Sequence, residues 1–90
     1  MYGLTAAIRL RTIEADGSHW AFNVESGSHY ELNETAYRVL RGIEARRTTE
    51  EIAAELAVEY GIPVRQAESD VNEALGAFAR EGLGIKEETP

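Results

Sequence analysis

Ninety residues with 43% hydrophobic content and no cysteine allow one small domain, held by an apolar core and hydrogen bonds rather than by disulfides or thiolate metal sites. Sixteen acidic against nine basic residues give a net charge of −7, which on average repels phosphate polymers and anionic lipid and so argues against a nucleic-acid or membrane partner. No apolar run approaches the roughly 20 residues of a membrane span, and the first residues carry no basic or long apolar signal, so a soluble cytoplasmic protein is expected.

The chain opens as sheet. Over Thr5 to Ile13, Ala6, Ile8 and Leu10 alternate with Ala7, Arg9 and Arg11, the pattern of a strand with one wet face. Ile13 falls out of phase, and a bulge or twist near the Glu14-Ala15-Asp16-Gly17 turn is expected to absorb the slip. From His19 to Glu25, Trp20, Phe22 and Val24 point one way while His19, Ala21 and Asn23 point the other. On the third strand Ser28, Tyr30 and Leu32 alternate with His29 and Glu31. Directly opposed residues share a face of the sheet. A three-residue loop Glu25-Ser26-Gly27, with Gly27 left-handed, is therefore expected to set Phe22 opposite Tyr30 and Trp20 opposite Leu32, all facing inward.

The period then changes to 3.6. Asn33 is placed to cap a helix from Glu34 to about Ala45, with an Ala36, Val39, Leu40 and Ile43 stripe. Thr48-Thr49-Glu50-Glu51 announces a second helix by a capping box; Ile52, Ala53, Leu56, Ala57 and Tyr60 are its buried stripe, and Gly61 with Pro63 ends it. A third helix is expected from about Arg65 to Glu81, with Ala67, Val71, Ala74, Leu75 and Phe78 facing the core and Gly82 stopping it. Leu83 and Ile85 read as an apolar anchor that closes a single domain at residue 85, and residues 86–90 as a frayed tail.

The residues offer little for catalysis. His19 and His29 are expected on one wet face, where two histidines without a third ligand read as polar sheet positions rather than a metal site. Glu50, Glu51, Glu55 and Glu59 line the wet side of a helix, and there is neither a glycine-rich phosphate loop nor an activated nucleophile. Neither enzyme activity nor a cofactor is expected. Arg38, Arg41, Arg46 and Arg47 cluster within ten residues, reading either as a solvated helix end, where cations favour the dipole, or as a docking patch. A sheet backing two helices has the outline of a winged-helix DNA binder, yet the third helix carries a net negative polar face, unsuited to a groove lined with phosphates. A third strand at the sheet edge could instead take up an extended peptide as a further strand, with Val71, Leu75 and Phe78 providing pockets.

Several stretches resemble the PqqD-like proteins, also called RiPP recognition elements: Tyr30-Glu-Leu-Asn-Glu-Thr-Ala36 before Val39-Leu40, Thr49-Glu-Glu-Ile-Ala-Ala-Glu-Leu56, and Asp70-Val71 with Leu75, Phe78 and Gly82-Leu83. Where that family commonly turns on a glycine between its first two helices, this chain has Glu44-Ala45-Arg46-Arg47. The resemblance implies an α+β winged helix-turn-helix, a three-stranded antiparallel sheet followed by three helices. It also implies a non-catalytic module that binds the leader of a ribosomally synthesised precursor peptide and presents it to a modifying enzyme, a radical SAM maturase or a leader peptidase. Carried over, the strand wall is Ser28, His29, Tyr30, Glu31 and Leu32, and the helix wall is Glu68, Val71, Asn72, Leu75 and Ala79. The rival readings are an acidic winged-helix DNA-binding domain and a homodimer paired through the same edge.

Overall fold

A computed structural model describes residues 2–81 and 85–87 of the chain. Its elements are β1 (Tyr2–Leu4), β2 (Ile8–Ile13), β3 (Ser18–Asn23), β4 (His29–Leu32), α1 (Glu34–Glu44), α2 (Thr49–Tyr60), α3 (Val64–Glu81) and β5 (Ile85–Glu87). Strands β2, β3 and β4 form an antiparallel sheet in sequence order, and three helices follow it, as the winged helix-turn-helix reading expects. A second, two-stranded sheet was not anticipated. Tyr2 pairs with Glu87 and Leu4 with Ile85, so Lys86 and Glu87 lie in a strand where a frayed tail was expected. Three-residue strands are too short to display a period of two, and among the described residues each of these finds its ladder partner in the other. The expected stop at Gly82, the anchoring role of Leu83 and residues 88–90 of the tail lie outside the described residues.

The sheet register corrects the inward assignment of β3. Ala21 lies opposite both Leu10 and Tyr30, whereas Trp20 faces Glu31 and Phe22 faces His29. Ala21 is fully buried beside Ile8, Leu10 and Leu32, while Trp20 and Phe22 are only half-buried and Val24 is 60% exposed. The core face is therefore Ile8, Leu10, Ala21, Tyr30 and Leu32. The aromatic pair lies on the opposite face with His29, the Trp20 and His29 rings 5.7 Å apart. The loop between β3 and β4 has four residues, Val24 to Gly27, closed by the Asn23 amide donating to Ser28 O at 2.8 Å. One residue more than expected reverses the parity of every pair. Gly27 is left-handed as anticipated, with φ 79°. No bulge occurs at Ile13, which pairs regularly with Ser18 and is 41% exposed on the outer face.

The helices follow their sequence cues closely. Asn33 accepts from the Ala36 amide at 2.7 Å. Thr48 and Glu51 form a full capping box, with bonds of 3.0 and 3.1 Å. Gly61 ends α2 in the left-handed region at φ 62°. Between α1 and α2, Arg46 takes φ 64°, a left-handed conformation that a glycine would adopt without the Cβ clash. Leu40, Ile43, Ile52, Val39 and Val71 are the largest fully buried side chains, so the seam of the three helices is the centre of the core. Each such burial stabilises by roughly 1.5–3 kcal/mol. Tyr60, expected in the α2 stripe, is 39% exposed, with the Arg38 guanidinium 5.8 Å from its ring centre.

Two measurements test this account. Gly42 is buried in α1, and a Cβ there would lie 2.6 Å from Ile52 Cγ1 and 2.8 Å from Cδ1. Overpacking of about 1–3 kcal/mol outweighs the roughly 1 kcal/mol helix-propensity gain of alanine. Gly42→Ala should accordingly lower the urea unfolding midpoint; a raised midpoint would contradict so close an α1–α2 approach. The Thr48 backbone and side-chain bonds hold the Glu51 carboxyl below its ordinary value. A depressed folded value means stabilisation that is present above the unfolded carboxylate range and lost as pH falls through the folded value. Glu51→Gln should show a shallower loss of stability with acid, and an unchanged slope would dismiss this linkage.

Candidate functional site

The two edges of the three-stranded sheet are not equivalent. In an antiparallel ladder, alternate residues bond to one neighbour while the others turn their amides and carbonyls to the opposite side. The Asn23–Ser28 bond makes Ala21–Tyr30 and His19–Leu32 the bonded pairs, so His29 and Glu31 direct their backbone groups to the outer edge of β4. At the other edge, the Val24 amide donates to Ala7 O at 2.9 Å, which leaves Ile8 and Leu10 facing outward from β2. There the side chains intervene. Arg9 Nη1 donates to Ile8 O at 3.2 Å and to Ala6 O, and Arg11 Nη1 donates to Leu10 O at 2.8 Å. Guanidiniums blunt the β2 edge. Among the described residues no strand covers the edge of β4.

Beside β4 lies a groove of about 410 Å³. Glu31, Leu32, Asn33, Thr35 and Ala36 form one wall, from the end of the strand into the first turn of α1. The other wall is one face of α3: Asp70, Glu73, Ala74, Ala77, Phe78 and Glu81. The Tyr30 hydroxyl donates to the backbone carbonyl of Glu81 at 2.9 Å and ties the strand to the last turn of the helix. The groove thus offers unpaired main-chain donors and acceptors, a small apolar floor and several carboxylates. That is equipment for holding an extended chain.

The strand residues expected at the site occur here in varied roles. His29 and Glu31 are exposed at the open edge, and Leu32 is buried beneath it. Tyr30 is half-buried and faces the core side, while Ser28 stands at the end of the hairpin loop with its carbonyl engaged by Asn23. The helix residues are not gathered in the groove. Val71 and Leu75 are 0% and 4% exposed, within the core. Glu68 and Asn72 line a separate recess with Thr49 and Glu50, and Ala79 is exposed outside both. Successive helical residues lie about 100° apart. The core stripe 71, 75 and 78 therefore has two flanks, and the sequence reading took the one led by 68 and 72 while the groove uses the one led by 70 and 74.

Other candidates resolve differently. His19 lies on the core side, its ring stacked on Tyr37 at 4.3 Å and its Nδ1 2.9 Å from the Thr12 hydroxyl, whereas His29 lies on the outer face. The two histidines are separated by the sheet rather than sharing a wet face, because β3 is inverted relative to the expected parity. Among the described residues no group of three His, Cys, Asp or Glu is arranged to hold a metal ion. Arg38 pairs with Glu34 and Glu59 at 3.1 and 3.2 Å, Arg41 with Glu44 at 2.9 Å, and Arg47 with Glu55. They border a recess of about 450 Å³ with His19 and Tyr37, and their charge is answered from within the chain. Among the described residues no helix is long and apolar enough to cross a membrane.

No curated protein sequence matches the chain. Three solved structures share its fold. TbiB1, in complex with the TbiA(beta) leader peptide, superposes with a TM-score of 0.81 at 20% identity, over 98% of this chain and 99% of that one. Lasso peptide synthetase B1, complexed with the leader peptide, gives 0.78 at 20% identity over 96% and 98%. The PqqD truncation of Methylobacterium extorquens PqqCD, a stand-alone recognition element for ribosomally synthesised and post-translationally modified peptides, gives 0.78 at 24% identity over 96% and 88%. At these identities the likeness is one of fold. Residues 19–83 match the family of coenzyme PQQ synthesis protein D, and the chain belongs to that PqqD family.

Proposed function

We propose that this chain is a non-catalytic binding module that takes up the leader of a ribosomally synthesised precursor peptide as an added strand on β4, against α3, and holds it for a modifying enzyme. The observation that carries the reading is the asymmetry of the sheet edges: β2 is capped by Arg9 and Arg11, while His29 and Glu31 present their backbone groups beside a groove. Membership of the PqqD family supports it, as do two solved structures of this fold that hold leader peptides. Main-chain bonds contribute about 0.5–1.5 kcal/mol each and do not depend on sequence. Apolar contact with Ala74, Ala77 and Phe78 adds affinity and choice. The modifying enzyme is a radical SAM maturase or a leader peptidase, the compartment is the cytoplasm, and a second copy of the chain is the competing occupant of the edge.

Amide NMR titration with the leader encoded beside this gene should shift His29 to Leu32 and the Asp70, Ala74 and Ala77 face of α3. A scrambled leader should leave them unmoved. Saturable shifts centred on Glu68, Asn72 and Thr49 would reject the groove. Glu31→Pro removes an outward donor and leaves the β3–β4 bonds intact, a change edge strands tolerate. It should weaken leader binding about tenfold or more while the circular dichroism spectrum is retained, about the worth of one lost bond to a now unpaired partner. Ala77→Phe should weaken it comparably by filling the groove. Full affinity in both folded variants would refute strand addition at β4.

A further inference from the structure

Taking the leader-binding reading of the groove as its basis, we propose that the chain selects leaders with Lys or Arg at two positions four residues apart and an apolar residue midway between them. Along the groove face of α3 the order is Asp70 and Glu73, then Ala74, Ala77 and Phe78, then Glu81: acid, apolar, acid. Helical rise puts Glu73 and Glu81 roughly 12 Å apart along the axis. An extended peptide covers about 13 Å in four residues, and its residues i, i+2 and i+4 point to the same side. The three peptide side chains that face α3 thus meet a carboxylate, the apolar floor and a carboxylate in turn. A carboxylate lies at both ends of the apolar stretch, so the rule holds for a strand added in either direction.

The charge of the groove has no internal answer. Glu31 and Asp70 bring two more carboxylates to its lining, and among the described residues no lysine or arginine lines it. The glutamates paired with Arg38, Arg41 and Arg47 lie outside this lining. Glu81 is also the last residue of α3, where the helix dipole favours a cation. The Tyr30 hydroxyl, bonded to the Glu81 carbonyl, holds this end of the groove at a fixed width. An acidic leader would add its charge to four unneutralised carboxylates, which makes rejection as much a part of selection as attraction.

A display library of random twelve-residue peptides, panned against the intact 90-residue chain, tests this directly. Enriched peptides should carry Lys or Arg at i and i+4 with an apolar residue at i+2. Titration calorimetry of one such peptide should show affinity falling with added salt, and falling about two- to fivefold in Glu73→Gln and in Glu81→Gln. Glu14→Gln, in the β2–β3 turn outside the groove lining, should bind as the parent does. Enriched peptides without a basic excess, or groove variants of undiminished affinity, overturn the charge rule alone when amide shifts still centre on β4. Shifts centred elsewhere, or a library from which nothing is enriched, overturn the groove reading with it.

Discussion

The four-residue loop from Val24 to Gly27 is the constraint on which the rest depends. Asn23 accepts from the Glu25 and Ser26 amides at 3.0 and 3.1 Å, Ser26 Oγ accepts from the Ser28 amide at 3.2 Å, and Gly27 supplies the left-handed step. Each bond is local and modest. Together they fix the register of β3 against β4, and a sheet has no intermediate registers to relax into. The register then decides three separate matters: that Ala21 lies under the helices, that Trp20 and Phe22 do not, and that His29 and Glu31 turn their backbone outward.

The helices convert that register into a site. With Ala21 flanked by Leu10 and Tyr30, the centre of the sheet presents a methyl between two large side chains, and α1 packs over it through Val39, Leu40 and Ile43. Gly42 lets α2 approach through Ile52, and α3 then closes the layer with Ala67, Val71, Leu75 and Phe78. Phe78 belongs both to the core and to the groove lining. A single helix thus anchors itself on one stripe and lines the groove with the adjacent one.

Much of this was legible in the chain because helix termini are written locally. Asn33, Thr48 with Glu51, and Gly61 each satisfy backbone groups within four residues of themselves, and all three serve as read. What was not legible depended on contacts between distant segments. Hydrophobicity alone ranks Trp20 and Phe22 above Ala21 for the interior, yet the space under α1 admits the small residue. Strand β1 finds its partner more than eighty residues away, in β5. On α3 the 3.6 period marks the core stripe but treats its two flanks alike; only the side on which β4 runs distinguishes Asp70, Ala74 and Ala77 from Glu68 and Asn72. The small residues Ala74 and Ala77 were the available cue, since two alanines beside a core stripe leave room for something else.

The distribution of charge follows the same logic of edges. A net charge of −7 describes the chain poorly, because five of its arginines are engaged within the chain while the groove carboxylates have no basic residue in their lining. Arg38, Arg41 and Arg47 answer neighbouring glutamates, and Arg9 and Arg11 spend their donors on the carbonyls of their own strand. An open strand edge is a hazard because it pairs with any extended chain, including another copy of itself. Blocking one edge with guanidiniums and surrounding the other with carboxylates are two answers to that hazard. The first occupies the outward carbonyls of its edge, while the second leaves the edge open and raises the cost of entry for an acidic chain such as this protein's own unfolded form. On the proposed reading, selectivity at β4 resides less in the hydrogen bonds that would hold a strand there than in the charges that decide which strands reach them.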